Sequence, residues 1–186
     1  MKRLPVLVAF LMTSALATRP VAAAVTRYVS PTGADSASCG ASEAPCKTVQ
    51  AALDLSSAGD VVRLRAGTYN ECVVSPGAVE TLADVFIATA PLGSFSTVIL
   101  DGAGTCDRSG DPVVPGGVVT LAAGDQLKGG TVRNGGRSGI AAFGPVTLVG
   151  NLVTLNEGDN GGGIFLDTSG PVAANAAATI DQNIVQ

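Results

Sequence analysis

Thr147-Leu148-Val149-Gly150-Asn151-Leu152-Val153 returns thirty-two residues later as Thr179-Ile180-Asp181-Gln182-Asn183-Ile184-Val185. Three positions are identical and two more exchange Leu for Ile. Between the copies, Gly139-Ile140 reappears as Gly163-Ile164, and Leu127-Lys128-Gly129-Gly130-Thr131-Val132 is a partial earlier copy of Leu148–Val153. These segments are too short for helices and are cut by Gly and Asn. Recurrence at roughly 20 to 30 residues is the mark of a solenoid whose strands stack like on like. The fold class we expect is therefore all-β, a parallel β-helix.

Working outward, the other apolar runs fit the same scheme. Thr26–Ser30 and Val61–Arg65 alternate as strands, and Ala66-Gly67-Thr68-Tyr69 reads as a turn. Further strands are expected at Val73-Val74, Val85–Ile87, Val98–Leu100, Val118–Leu121, Leu127–Val132, Ile140–Phe143, Val146–Val149, Leu152–Leu155 and Ile164–Leu166. Each is bounded by Gly, Pro, Asn or Asp. Only Lys47–Ser56 reads as a helix, opened by Pro45 and carrying Val49, Ala52 and Leu53 at i, i+3 and i+4. So short an amphipathic helix must bury its stripe on something, and the exposed end of a strand stack needs such a cap.

The first residues have the parts of an export signal: Lys2 and Arg3, an apolar run from Leu4 to Ala17, and small residues at Val21-Ala22-Ala23-Ala24. We divide the chain into a signal peptide at 1–24, an N-terminal cap with a short helix at 25–60, and β-helix coils, about five, at 61–186. Because Ile184-Val185-Gln186 falls within a strand copy, further coils are expected beyond Gln186. Residues 1–24 hold three basic and no acidic residues, so the remainder has 8 Lys and Arg against 15 Asp and Glu, a net charge of −7. That balance disfavours nucleic acid and anionic membrane surfaces as partners, and the mature chain has no membrane span.

The chain has no histidine, which excludes Ser-His-Asp and Cys-His nucleophile pairs within it. Tryptophan is also missing, and the scarcity of aromatic rings weakens the case for a conventional lectin. The four cysteines, Cys39, Cys46, Cys72 and Cys106, suit two disulfides in an oxidising compartment. Of three possible connectivities we favour Cys39 with Cys46 and Cys72 with Cys106. Zinc is disfavoured, there being no C-x-x-C pair and no histidine. Asn134, Asn151, Asn156 and Asn183 lie at or near strand ends and could form a structural amide ladder, although Asn also favours turns for its own sake.

Four segments carry a family resemblance: Tyr28-Val29-Ser30-Pro31-Thr32-Gly33, Pro45-Cys46-Lys47-Thr48-Val49-Gln50-Ala51-Ala52-Leu53, Ala58-Gly59-Asp60-Val61-Val62 and Ala66-Gly67-Thr68-Tyr69. Together they resemble the N-terminal cap and first coil of exported bacterial proteins with a right-handed parallel β-helix of the pectin-lyase-like kind. The resemblance implies that fold and little about activity, because the scaffold carries lyases, hydrolases, epimerases and adhesins. Lyases of this kind use acidic calcium ligands with an Arg or Lys base on the outer face of one sheet. Asp159, Asp167 and Asp181, with Arg133 or Arg137, are the residues that could serve, yet they stand isolated among glycines. The hydrolases use three aspartates and a histidine, which this chain cannot supply.

Asp101-Gly102-Ala103-Gly104-Thr105-Cys106-Asp107, with Asp111 beyond, is the densest acidic stretch, but it departs from the EF-hand pattern after its first position. Asp159-Asn160-Gly161-Gly162-Gly163 lacks the Lys and Ser or Thr of a phosphate cradle and reads as a tight corner. Arg63 and Arg65 read as solvated charges. No metal or cofactor is expected, and no catalytic constellation is discernible. The expectation is an exported extracellular or cell-surface binding or structural module, adhesin-like, whose partner is an extracellular polysaccharide or a cell-surface component. The competing expectation is a polysaccharide lyase or glycoside hydrolase with its catalytic residues elsewhere.

Overall fold

A strand of three to six residues can bury only alternate side chains, so each short run needs neighbours that carry its backbone hydrogen bonds. The computed structural model describes residues 23–83, 97–102, 106, 117–158, 162–167 and 177–186. It contains β1 (Thr26–Val29), α1 (Val49–Asp54), β2 (Val61–Leu64), β3 (Gly67–Asn70), β4 (Val73–Val74), β5 (Glu80–Ala83), β6 (Val98–Asp101) and β7 (Gly117–Ala122). There follow β8 (Gln126–Lys128), β9 (Thr131–Arg133), β10 (Ser138–Phe143), β11 (Thr147–Val149), β12 (Leu152–Thr154), β13 (Ile164–Asp167), β14 (Thr179–Asp181) and β15 (Ile184–Val185).

These strands form three sheets, in the orders β1-β2-β5-β8-β11-β14, β3-β6-β9-β12-β15 and β4-β7-β10-β13. The strand pairings are parallel throughout. From β2 onward the chain visits first, second and third sheet in fixed rotation: β2-β3-β4, β5-β6-β7, β8-β9-β10, β11-β12-β13, then β14-β15. The arrangement is all-β and consistent with a parallel β-helix.

The sequence repeats coincide with the stacking register. Thr147 lies beside Thr179, Leu148 beside both Ile180 and Leu127, and Ile140 beside Ile164. Inward positions build continuous columns. Tyr69, Leu100, Val132, Val153 and Val185 follow one another in the second sheet, and Val73, Val119, Ile140 and Ile164 in the third. Most of these are fully buried, and they join Val62, Leu64, Leu127 and Leu148 of the first sheet in one core.

Three expectations are corrected and one strand is added. Ala66–Tyr69 is not simply a turn, because Gly67–Asn70 pairs with Val98–Asp101 as a strand. Leu127–Val132 is two strands, bent where Gly129 adopts φ 77°. Glu80–Ala83 is a strand that its polar composition does not announce. The helix is shorter than Lys47–Ser56, since Thr48 is its N-cap, accepting from the Ala51 N–H at 3.2 Å, and Leu55 closes it. The expected strand at Val85–Ile87 lies outside the described residues.

The two ends of the stack differ. At the N-terminal end α1 buries Val49, Ala52 and Leu53 on the core. The Gln50 side chain acts as a piece of strand: its Oε1 accepts from the Val74 N–H at 2.8 Å and its Nε2 donates to the Val74 carbonyl at 3.1 Å, closing the edge of β4. The loop after β1 closes the first sheet in the same way, as Tyr28 donates to the Gly40 carbonyl and Cys46 to the Tyr28 carbonyl. At the other end Ile180 and Val185 remain 50% and 54% exposed although they continue inward columns. Among the described residues no helix is long and apolar enough to cross a membrane.

Candidate functional site

The corner leading into the first sheet carries a device built from carboxylates. Asp60 is buried directly before β2 and Asp125 directly before β8. Asp60 accepts from the Val25 N–H at 2.8 Å and the Ser57 N–H at 2.9 Å. Asp125 repeats this with the Val79 N–H at 2.9 Å and the Ala122 N–H at 2.7 Å. In each case one oxygen ties the corner to the level below and the other closes the turn three residues back. The first sheet's corner column thus runs Val25, Asp60, Val79, Asp125, Val146, each carbonyl accepting from the first strand N–H of the next level.

The two aspartates titrate differently. The Val25 and Ser57 N–H groups hold Asp60 below the usual carboxylate range, against burial and with help from the Arg27 charge. Burial pushes Asp125 up, and bonds from Val79, Ala122 and Ser75 only partly offset it. Neither residue is among the candidates singled out from the sequence. The signal was present, since Gly59-Asp60 and Gly124-Asp125 each stand immediately before a strand.

The four asparagines do not form one ladder. Asn151 and Asn183 meet at the corner between the first and second sheets, where the Asn151 Nδ2 donates to the Asn183 Oδ1 at 2.8 Å and to the Leu127 carbonyl at 2.9 Å. The Asn151 Oδ1 accepts from the Gly130 N–H at 3.1 Å, and the Asn183 Nδ2 donates to the Leu148 carbonyl at 2.8 Å. Asn134 and Asn156 lie at the next corner in columns one residue apart. Asn134 is level with Leu155, both at positive φ, whereas the Asn156 Oδ1 accepts from the Gly135 N–H at 2.8 Å.

On the outer face of the second sheet Asp101, buried, pairs with the Arg133 Nε at 2.7 Å and accepts from the Asn134 Nδ2 at 2.9 Å. Three of the residues considered above, Asp101, Arg133 and Asn134, thus meet in one cluster. It is poorly suited to proton abstraction, because the guanidinium only donates hydrogen bonds and is already committed to the Asp101 carboxylate. Asp167 ends β13 in the third sheet and Asp181 ends β14 in the first, so the structure does not bring these two candidate calcium ligands onto one sheet. Asp107, Asp111 and Asp159 lie outside the described residues. Arg137 is half-buried between β9 and β10.

The cap is held by two more carboxylates. Asp35 accepts from the Lys47 and Thr48 N–H groups at 2.8 and 3.0 Å, and Glu71 from the Val49 and Gln50 N–H groups at 2.8 and 3.0 Å. Burial raises the Glu71 pKa against those two bonds, with the Asp35 charge adding to the rise. Cys39 is bonded to Cys46 and Cys72 to Cys106. The carboxylate of Asp35 lies near the first pair, but sulfurs already bonded to each other leave it the sole anionic ligand there. A shallow depression of about 300 Å³ beside this loop is lined by Thr32, Ser36, Ser38 and Glu43. No family model matches the chain, and no curated protein or solved structure matches it either.

Proposed function

We propose that the chain is an exported right-handed parallel β-helix of the pectin-lyase-like kind, serving outside the cell or at its surface as a binding or structural module. The observation that carries this reading is where the polar side chains are used. Asp60, Asp125, Asn151 and Asn183 spend their hydrogen bonds holding one level to the next. Arg133, one of the two candidate bases, is ion-paired with Asp101 at 2.7 Å. Two disulfides suit an extracellular setting.

What the stack offers is a long lateral surface. The outward column of the first sheet runs through Tyr28, Arg63, Leu82, Lys128, Val149 and Asp181. At about 4.8 Å per level such a column is long enough to lie along an extended partner. An extracellular polysaccharide or a cell-surface component is the partner class we propose. Purified protein is expected to be retained on cells or on immobilised polysaccharides without turnover. Calcium-dependent release of unsaturated products from pectin or alginate would overturn the reading in favour of a lyase.

A further inference from the structure

Each corner aspartate binds a backbone nitrogen of the level below, and the two nitrogens differ in what they can become. Asp125 accepts from the Val79 N–H at 2.9 Å, and Val79 lies in mid-chain between β4 and β5. Asp60 accepts from the Val25 N–H at 2.8 Å, and Val25 directly precedes β1. Val25 is held at both ends, because its carbonyl also accepts from the Val61 N–H at 2.9 Å. Ala23, Ala24 and Val25 are exposed, whereas Asp60 is buried.

Ala22-Ala23-Ala24 has the small residues at alternate positions that end an export signal, which makes Ala24–Val25 a bond that a signal peptidase can cut. Water adds to the Ala24 carbonyl and the C–N bond breaks. Ala24 is left as a carboxylate, whose proton passes to the freed Val25 amine. We infer that the chain is processed at this bond and that the buried Asp60 carboxylate receives the new α-ammonium of Val25. This inference rests on the reading of the chain as exported.

The corner suits a charge at that nitrogen. An ammonium in place of the amide turns a neutral donor into a charged one, and such bonds are roughly twice as strong. One of its N–H groups keeps the existing 2.8 Å bond, and Val25, 46% exposed, leaves the others room for water. The second Asp60 oxygen is occupied by the Ser57 N–H at 2.9 Å. Among the described residues, Arg27 on β1 is the other charged side chain that meets this corner, its Nη2 lying 3.9 Å from Asp60 Oδ2. Glu80, on the next level, is paired with Lys128 at 2.7 Å. A carboxylate in direct contact outweighs the more distant guanidinium. The first circuit is thus locked by an ion pair that the uncut chain lacks, and Asp125, bonded to a mid-chain amide, has no equivalent of it.

Two measurements test the bond and the receiving carboxylate separately. Mass spectrometry of the full chain expressed in an exporting bacterial host is expected to find Val25 as the first residue of the exported product. In protein prepared to begin at Val25, an NMR titration is expected to place the α-amine at least one unit above its ordinary value of about 8. Asp60→Asn is expected to return it to the ordinary value. So is a chain that keeps Ala24 as its first residue, because the amine then lies about 3.8 Å further along the chain. An exported product with a different first residue overturns the assignment of the bond, and an unshifted α-amine in the Val25 chain overturns the role of Asp60. A chain that stays uncut inside the cell overturns the export reading together with the cut, while the titration still decides on Asp60. Should Asp60→Asn fail to fold, the comparison of the Val25 and Ala24 chains decides.

Discussion

Asp60 and Asp125 occupy equivalent corners, accept equivalent N–H groups and yet shift in opposite directions. Asp60 has its folded-state pKa lowered, so its contribution to stability is fully present above the ordinary carboxylate value of about 3.9 and is lost as pH falls through the folded value. Asp125 has its folded-state pKa raised, so its contribution is present below the ordinary value and lost as pH rises through the folded one. Urea melts at neutral and acid pH are thus expected to show the deficit of Asp60→Asn shrinking on acidification, and that of Asp125→Asn moving in the wild type's favour. Parallel pH profiles for the two variants would refute the assignment. Asn151 is 1% exposed and bonded at both ends of its amide, so Asn151→Ala is expected to cost about 1–3 kcal/mol in the same melts. These roles were only partly legible. An Asn at a strand end advertises itself as a turn former, and nothing in one sequence shows that Asn134 and Asn156, at the same corner, stand in columns one residue apart.

At the scale of elements, the cap explains why so short a helix persists. Six residues are too few to hold a helix by propensity, and α1 is kept by Thr48, by Asp35 and Glu71 on its first N–H groups, and by its buried stripe. Leu53, 1% exposed, is expected to cost about 2–5 kcal/mol on change to Ala, read as a loss of midpoint in a thermal or urea melt. Replacing Cys72 and Cys106 together by Ala is expected to cost about 2–4 kcal/mol, for a loop of 34 residues, in the same measurement. The helix was readable from Val49, Ala52 and Leu53, and most strands from their β-branched runs. β3 and β5 were not, because Gly67-Thr68-Tyr69-Asn70 and Glu80-Thr81-Leu82 owe their extended form to pairing with neighbouring levels and not to local composition.

At the scale of the molecule, the recurrence of Thr147–Val153 identified the stacking because parallel levels in register place repeated residues beside one another. Activity was not legible in the same way. In a repeated coil the polar residues at corners serve the architecture first, and the outer face tolerates almost any side chain. The corner column of the first sheet adds something further. From Val25 to Val146 its valines and aspartates alternate, although one circuit repeats the shape, and Ala178, level with Val146, ends the alternation. Excising a single circuit, residues 61–79, would seat Asp125 directly upon Asp60 and stack two buried carboxylates about 4.8 Å apart. Which circuit can be removed at this corner is thus set by hydrogen bonds that the strand pattern alone does not contain.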